Sequence, residues 1–374
     1  MSGNDKGYSP GLAGVIAGET TIACVDQGVL LYRGYPIEQL AAKSTFEEVA
    51  HLLLFGDLPN EAQLAELKGK LDKYRRLEPK LIDALRQIPK AAPMMDVLRS
   101  MVSYAGHFDP MSGDDPDTLR ERAVWLTAQI GAIIPARYRM LNGKDPIDPK
   151  PGLSHAAQIL YQAHGEDPTD LAARIIDLTL VLYAEHDFNA STFTARVICS
   201  TLSDMTSAVV GAIGALKGPL HGGANEAAME MLQRFKTADE ASAWLKEAVA
   251  KKEKVMGFGH RVYKHGDHRA RILEAELRKL AEEKGEQNWM AIYDAIKEPM
   301  VNEKNIFPNV DYPCGLTYYL LDLPLDLYTP LFVASRVTGW CAHIIEQTMD
   351  NRLYRPLSIY EGQKKRDVPE LAAR

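Results

Sequence analysis

Beyond its first 35 residues, the chain carries apolar residues at spacings of three and four, and this periodicity constrains the fold more than any other feature. Two such stripes are formed by Leu64, Leu67, Leu71 and Tyr74 and by Leu171, Ile175, Leu178 and Leu182. Residues three and four apart lie on one face of an α-helix, so the pattern predicts amphipathic helices. The fold class is therefore predicted to be mainly α.

A small β feature is predicted at the N-terminal end. Thr20–Val25 and Val29–Arg33 are rich in β-forming residues and flank Asp26–Gly28, which is typical of a hairpin turn. The helices that follow have predicted starts. Ser44–Glu47 reads as a capping box, Asp167–Pro168 opens the helix of the second stripe, and Thr237 caps a helix that runs to Ala250.

Length and charge narrow the function classes. The chain has 374 residues and a net charge of −7, which suits a two-part enzyme better than a dedicated nucleic-acid binder. Its four dispersed cysteines form no C-x-x-C pair, and they are expected to be buried thiols. The N-terminus lacks the pattern of a signal peptide, and no apolar run approaches the ~20 residues of a membrane span, so a cytoplasmic protein is expected.

The charge is unevenly distributed. Residues 251–271 hold seven lysine and arginine side chains against two carboxylates. A positive segment in an acidic protein suits an anionic ligand, although a solvated helix face is equally compatible with it. The glycines and aromatic residue of Gly257–His260 favour a ligand-binding loop.

Familiar catalytic signatures are absent. The sequence contains no G-x-x-x-x-G-K-[ST], H-E-x-x-H, G-x-S-x-G or G-x-G-x-x-G motif. His260, His265 and His268 lie close together, but their spacing matches no common zinc motif, so no metal is expected.

Three short segments carry candidate catalytic residues. His221 follows Gly-Pro-Leu and precedes Gly-Gly, and Asn225 is a candidate cap for the next helix. The positive end of that helix is expected to keep His221 neutral, so that the imidazole donates to an enolate-like oxygen. His260 ends a glycine loop near Arg269, a candidate carboxylate anchor. Asp311 lies between two prolines, where it is either a turn residue or a general base.

Two further segments suit an anionic substrate. Arg336 is embedded in an apolar helix, and Arg355 lies near the C-terminus. Such arginines need a partner, which is either a structural carboxylate or a ligand. Residues Tyr183–Arg196 form a polar interruption between apolar runs, which is typical of a site or a helix end.

These segments together resemble the citrate synthase family over essentially the whole chain. The matching stretches are EHDFNASTFTARV, GALKGPLHGGANE, MGFGHRVYKHGDHR, PNVD and SRVTGWCAHIIEQ. The resemblance implies an acyltransferase that condenses acetyl-CoA with oxaloacetate and hydrolyses citryl-CoA to citrate and CoA, with no cofactor. It implies that His221 stabilises the enol, Asp311 removes the methyl proton and His260 polarises the oxaloacetate ketone.

The resemblance also implies binding residues. Those implied for oxaloacetate or citrate are His186, Asn189, Arg269, Phe332, Arg336 and Arg355. Those implied for CoA are Lys254, Val255, Met256, Gly257, Phe258, Gly259, Lys304 and Asn309.

The implied architecture has two domains. Residues 1–221 and 322–374 form a large helical domain, and residues 222–321 form a small domain that closes over the substrates. A homodimer is implied, in which Arg355 reaches the neighbouring active site. No nucleic-acid or membrane partner is expected.

Several alternatives stay open. Many relatives have a small segment with serine after PNVD, whereas this chain reads YPCGLTYY, and His268 replaces a frequent proline. A 2-methylcitrate synthase that uses propionyl-CoA, or a dual-specificity enzyme, is the main alternative, because one methylene discriminates by only ~1–3 kcal/mol. A citryl-CoA lyase and a non-catalytic CoA- or tricarboxylate-binding regulator are more distant alternatives.

Overall fold

The structure is a computed structural model that describes residues 9–260, 263 and 266–373. This part of the chain contains sixteen α-helices and one small antiparallel sheet, as the periodicity predicts. The strands are β1 (Ala23–Asp26), β2 (Val29–Tyr32) and β3 (Tyr35–Pro36). The helices are α1 (Ile37–Lys43), α2 (Phe46–Phe55), α3 (Glu61–Tyr74), α4 (Pro79–Gln87), α5 (Met94–Ala105), α6 (Pro116–Leu141), α7 (His155–His164), α8 (Asp170–Tyr183), α9 (Ala190–Cys199), α10 (Met205–Leu216), α11 (Ala224–Leu232), α12 (Ala238–Ala250), α13 (His268–Lys284), α14 (Gln287–Asn302), α15 (Asp311–Leu320) and α16 (Tyr328–Met349).

The predicted hairpin is confirmed. Strands β1 and β2 pair in register from Ala23 opposite Tyr32 to Asp26 opposite Val29. Gln27 and Gly28 have φ angles of 47° and 86°. Two consecutive positive φ angles form the tight turn that matches the twist of a hairpin.

Two of the predicted helix starts were wrong by a few residues. Helix α2 has its capping box at Thr45 and Glu48 rather than at Ser44–Glu47. Helix α8 is capped by Thr169, whose side chain accepts from the backbone of Ala172, so the helix begins after Asp167–Pro168. In both places several residues with capping side chains are adjacent, and the sequence pattern does not distinguish among them.

Helix α16 lies at the centre of the molecule. It packs against α2, α6, α8, α9 and α10, and most of its side chains are buried. Gly339 permits its closest approach to the end of α8, since a Cβ atom there would lie 2.2 Å from the Glu185 carboxylate and 2.3 Å from the Ala184 carbonyl. This packing holds the residues after α8 against the buried face of α16.

Helices α11 to α15 pack mainly on one another. The predicted cap is confirmed in this group, because the Thr237 hydroxyl accepts from the backbone of Glu240 at the start of α12. Helix α13 also contacts α1 and α8, and α11 contacts α16, so this group adjoins the rest of the molecule along a limited boundary. Among the described helices, none is both long and apolar enough to cross a membrane.

Candidate active site

His221 lies in the loop between α10 and α11, and its ring is fixed by Ser191. The Ser191 backbone N–H donates to His221 Nε2 over 3.3 Å, and the Ser191 hydroxyl lies 2.8 Å from the same nitrogen. Because a backbone N–H points at Nε2, that nitrogen is the acceptor and the ring proton lies on Nδ1. Trp340 Nε1 donates to the Ser191 hydroxyl over 3.0 Å and so holds Ser191 in place.

His221 is neutral, as predicted. Burial, followed by the nearby positive charge of Arg336, lowers the pKa of His221 to about 4. The predicted cap by Asn225 was wrong. This residue lies inside α11, where its side chain is buried, and the cap position is held by Gly223.

Asp311 is the first residue of α15 and is partly buried. The Tyr183 hydroxyl donates to its Oδ1 over 2.7 Å. Its own backbone N–H donates to the Asn309 side chain over 3.1 Å. Burial raises the pKa of Asp311 to about 6, against the hydrogen bond from Tyr183 and the charge of Arg269, both of which favour the carboxylate. A carboxylate with such a pKa is ionised at neutral pH and is more basic than an ordinary one.

His186 and His260 lie side by side, with ring centroids 5.2 Å apart. Tyr263 joins them, because its hydroxyl lies 2.9 Å from His186 Nε2 and its backbone N–H donates to His260 Nδ1 over 3.3 Å. Burial, together with the charge of Arg269, holds the pKa of His186 well below its ordinary value. His186 is therefore a neutral hydrogen-bonding group beside His260.

The two buried arginines near these histidines have different partners. Arg269 forms a bidentate pair with Asp267, with distances of 3.0 Å from Nε and 2.8 Å from Nη2. Although burial disfavours the charged carboxylate, Arg269 holds the pKa of Asp267 below its usual value. Arg336 donates from Nε to the Tyr183 carbonyl over 2.6 Å, and within the described residues no carboxylate forms an ion pair with it. Its buried charge is therefore available to an anionic ligand.

Phe332 forms an apolar wall of the same site. Its ring centroid lies 4.4 Å from that of Tyr183 and 6.2 Å from that of His221. The Arg336 guanidinium lies 4.8 Å from the Phe332 ring centroid. Helix α16 thus supplies one apolar and one cationic group, one turn apart, to a common space.

The glycine loop is paired with the segment before Asp311. Gly259 N–H donates to the Phe307 carbonyl and Asn309 N–H to the Gly257 carbonyl, both over 2.9 Å. The Asn309 side chain also donates to the Gly259 carbonyl over 3.1 Å. Gly257 has φ +81°, and a Cβ there would lie 2.7 Å from Tyr312, so the loop requires glycine at this position.

The flanks of this loop differ in exposure. Val255 and Phe258 are buried, Met256 is partly buried, and Lys254 and Lys304 are exposed. Of the basic segment, Arg261 and Lys264 lie outside the described residues, as does His265 of the histidine group. Among the residues that are described, no cluster of three or more histidine, cysteine or acidic side chains is placed to hold a metal ion.

Comparison with known proteins identifies the family. Residues 11–357 match the family described as citrate synthase, C-terminal domain. The chain belongs to the citrate synthase family. Members of this family are acyltransferases that carry out a condensation reaction, and this chain is one of these enzymes.

Relatives with two different names resemble this citrate synthase family member equally well. A 2-methylcitrate synthase of Mycobacterium tuberculosis strain H37Rv is 43% identical over 361 residues, which cover 96% of this chain and 92% of the relative. A citrate synthase of Mycolicibacterium smegmatis is 44% identical over 363 residues, which cover 96% of both chains. Sequence identity alone therefore does not separate the two activities.

A solved structure supports the fold. The citrate synthase of Thermoplasma acidophilum, in a ternary complex with carboxymethyl coenzyme A and oxaloacetate, matches with a TM-score of 0.93 and 34% identity. The match covers 98% of this chain and 99% of that one. The prediction of a mainly helical citrate-synthase-like fold is thereby confirmed.

Asn189 and Arg355 are implied for substrate binding, but in this chain each forms hydrogen bonds with its own neighbouring residues. Asn189 is the N-cap of α9, and its Oδ1 accepts from the backbone of Ser191 and Thr192 over 3.1 Å. In this member of the citrate synthase family, Asn189 thus fixes the segment that holds His221. Arg355 is on the exposed C-terminal segment, where Nη1 donates to the Pro356 carbonyl over 3.3 Å.

Several residues that shape the site were missed by sequence reasoning. Tyr183, Ser191 and Trp340 lie within segments that were singled out, but their contacts span long stretches of chain. Asp267 and Tyr263 lie between His260 and Arg269 and link to them directly. The signal that could have found them is the polar character of these segments, since a buried polar side chain needs a partner.

Proposed function

We propose that this enzyme condenses acetyl-CoA with oxaloacetate and hydrolyses the citryl-CoA intermediate to citrate and CoA. The observation that carries the proposal is that Asp311 and His221 both lie around the packed rings of Tyr183 and Phe332. The pKa of Asp311 is about 6 and that of the neutral His221 imidazole is about 4. A thioester methyl group is a weak acid, so a carboxylate base needs a donor at the thioester oxygen. His221 Nδ1 is the donor in this scheme, and no cofactor takes part.

Oxaloacetate is assigned to the space between the histidine pair and the arginines. Arg336 and Arg269 hold its carboxylates, His260 polarises its ketone and His186 donates to it. Phe332 lines the apolar side of this space. The proposal includes a homodimer in which Arg355 of a second copy completes the carboxylate site, which is compatible with the exposure of Arg355 in one chain.

CoA is assigned to the glycine loop and its flanks. Backbone groups of residues 255–259 and the Asn309 side chain hold the adenine end, and Lys254 and Lys304 attract the phosphates. We further propose that residues 222–321 form a small domain that closes on residues 1–221 and 322–374. The mutual packing of α11 to α15 supports this division. Closure shields the reactive intermediates from water, and the enzyme is expected in the cytoplasm.

The choice of acyl-CoA is tested by comparing kcat/KM for acetyl-CoA with kcat/KM for propionyl-CoA. Tyr183 donates to Asp311 and its ring packs on Phe332, and we propose that these two rings disfavour an extra methylene beside the base. We expect kcat/KM for acetyl-CoA to exceed that for propionyl-CoA by about tenfold or more. The measurement is release of the CoA thiol with saturating oxaloacetate.

A 2-methylcitrate synthase is the second candidate, because relatives of that name are as similar as the citrate synthases. A preference for propionyl-CoA in the same assay assigns that activity instead. Cleavage of citryl-CoA without condensation, or no turnover with either substrate, contradicts both assignments.

Replacement of Tyr183 by phenylalanine tests the base assigned to Asp311. The Tyr183 hydroxyl stabilises the ionised carboxylate, so its loss raises the pKa of Asp311 above its present value of about 6. The acidic limb of the kcat/KM profile therefore moves to higher pH, and activity at pH 6 falls more than activity at pH 8. Tyr104→Phe serves as the control, because the Tyr104 ring contacts His107 and Phe108 rather than Asp311. An unmoved acidic limb in Tyr183→Phe argues against Asp311 as the titrating base.

A further inference from the structure

Helix α13 begins beside the assigned oxaloacetate site and is bound there through its first residues. Asp267 caps the helix by accepting from the Arg269 backbone N–H over 3.0 Å, and it also pairs with the Arg269 guanidinium. Arg269 Nη1 lies 3.5 Å from the Leu182 carbonyl at the end of α8. The position of the Arg269 guanidinium is therefore coupled to the position of α13 against α8.

Two polar side-chain contacts hold the same helix to α1 and α8. His268 Nδ1 contacts the Glu38 carboxylate of α1. Eight residues further along, Glu276 pairs with Arg174 of α8 over 2.6 Å. Positions eight apart lie near the same helix face, so both pairs lie along one side of α13. Both join the group α11 to α15 to the rest of the molecule.

The two pairs lie at the edge of this boundary rather than in its core. The His268 and Glu38 side chains are 35% and 37% exposed, so their attraction is partly screened by water. Such a pair adds little to folding stability. It nevertheless changes the population of two domain arrangements whenever their free energies are similar.

The His268 side chain can be removed without disturbing the start of α13. It is the first residue of α13, and Asp267 before it has φ −89° and ψ 116°. Proline is tolerated at the first helical position and requires an extended residue before it. A proline here keeps the helix start and removes only the imidazole.

We propose that Glu38, His268 and Arg174 are positioning residues for oxaloacetate binding. The contacts of Glu38 with His268 and of Arg174 with Glu276 hold α13 against α1 and α8, in the arrangement that places Arg269 beside His186 and Arg336. The inference rests on the proposed function, because it assumes that Arg269 binds a substrate carboxylate and that residues 222–321 move. Loss of either contact favours an arrangement in which Arg269 lies farther from His186 and Arg336.

The experiment compares steady-state kinetics of the parent with Glu38→Gln, His268→Pro and the double variant. Each single variant is expected to raise KM for oxaloacetate about two- to fivefold, as the loss of a partly exposed polar contact allows. We expect kcat to stay unchanged or to rise, because opening releases product. The double variant is expected to match the single variants, since both remove the same pair. Arg174→Gln removes the second pair, and its effect should multiply with that of Glu38→Gln.

Asp294→Asn is the matched control. Asp294 of α14 pairs with Arg278 of α13 over 2.6 Å, so this ion pair lies within the group α11 to α15 and does not reach α1 or α8. Its KM for oxaloacetate should equal that of the parent. Glu38→Asp keeps the charge and should restore much of the parent KM.

Oxaloacetate binding without acyl-CoA, measured by calorimetry, gives a second readout that does not depend on turnover. Unchanged KM and affinity in Glu38→Gln and His268→Pro, or effects of these two that multiply in the double variant, overturn the inference. A rise of KM in Asp294→Asn as large as in these variants also overturns it. A parent enzyme that fails to bind oxaloacetate or to condense it contradicts the proposed function itself. A parent that condenses normally, with unaltered variants, contradicts only the role of these two contacts.

Discussion

Replacement of Asp311 by asparagine is expected to lower kcat by about 10²–10⁴-fold, which is the range for loss of a positioned general base. Asparagine keeps the size of the side chain and still accepts from the Tyr183 hydroxyl, which lies 2.7 Å from Oδ1 in the parent. What it lacks is a basic oxygen that can take the methyl proton. KM for oxaloacetate should change little, because no oxaloacetate contact is assigned to Asp311.

The same variant should be at least as stable as the parent at neutral pH. The pKa of Asp311 is raised to about 6 in the fold, compared with about 3.9 in an unfolded chain. The folded state therefore holds the proton more tightly, and the parent loses stability as pH rises through this interval. Asparagine does not ionise and avoids this loss.

Thermal unfolding at pH 5 and pH 8 measures this difference, and calorimetric titration with oxaloacetate shows whether the binding site is intact. A folded variant that binds oxaloacetate but retains more than a tenth of the parent kcat contradicts the role of Asp311. A folded variant that no longer binds oxaloacetate places Asp311 in the oxaloacetate site instead.

Elements governed by local periodicity could be predicted from the sequence. The hairpin follows from the turn segment Asp26–Gly28, which ends in glycine, between two β-rich runs. The stripes of α3 and α8 follow from helical spacing. Helix starts were less accurate, since Thr45 and Ser44 both have capping side chains. The backbone N–H of Phe46 donates to Asp177 of a distant helix over 3.1 Å, a contact that contributes to fixing the start of α2.

The electrostatic state of the site could not be read from local sequence. Burial and the charge of Arg336, 115 positions further along the chain, lower the pKa of His221, and neither is visible in its own segment. The raised pKa of Asp311 likewise depends on burial, and the opposing contact comes from Tyr183. Burial and long-range contacts exist only after the helices pack. Motif spacing therefore locates the segments of a site but not their protonation states.

Replacement of His221 by alanine is expected to lower kcat by about 10²–10³-fold, the usual cost of removing one donor from a developing oxyanion. The loss should persist across pH 6–9, because the pKa of His221 is about 4 and the parent imidazole is neutral throughout this range. Exchange of the acetyl-CoA methyl protons with deuterated solvent, in the presence of a non-reacting oxaloacetate analogue, should slow in parallel, since Asp311 then acts without a donor at the thioester oxygen.

Ser191→Ala tests how far the activity depends on the hydroxyl that holds the His221 ring. The Ser191 backbone N–H still points at His221 Nε2 over 3.3 Å, whereas the hydroxyl contact of 2.8 Å is lost. The retained backbone bond keeps the proton on Nδ1, so this variant should lose much less activity than His221→Ala.

A charged imidazolium acting as donor would instead give a parent rate that falls steeply as pH rises above the pKa of His221. Methyl-proton exchange at the parent rate in His221→Ala would show that the enol is stabilised by another group, and the assignment of His221 would then be wrong.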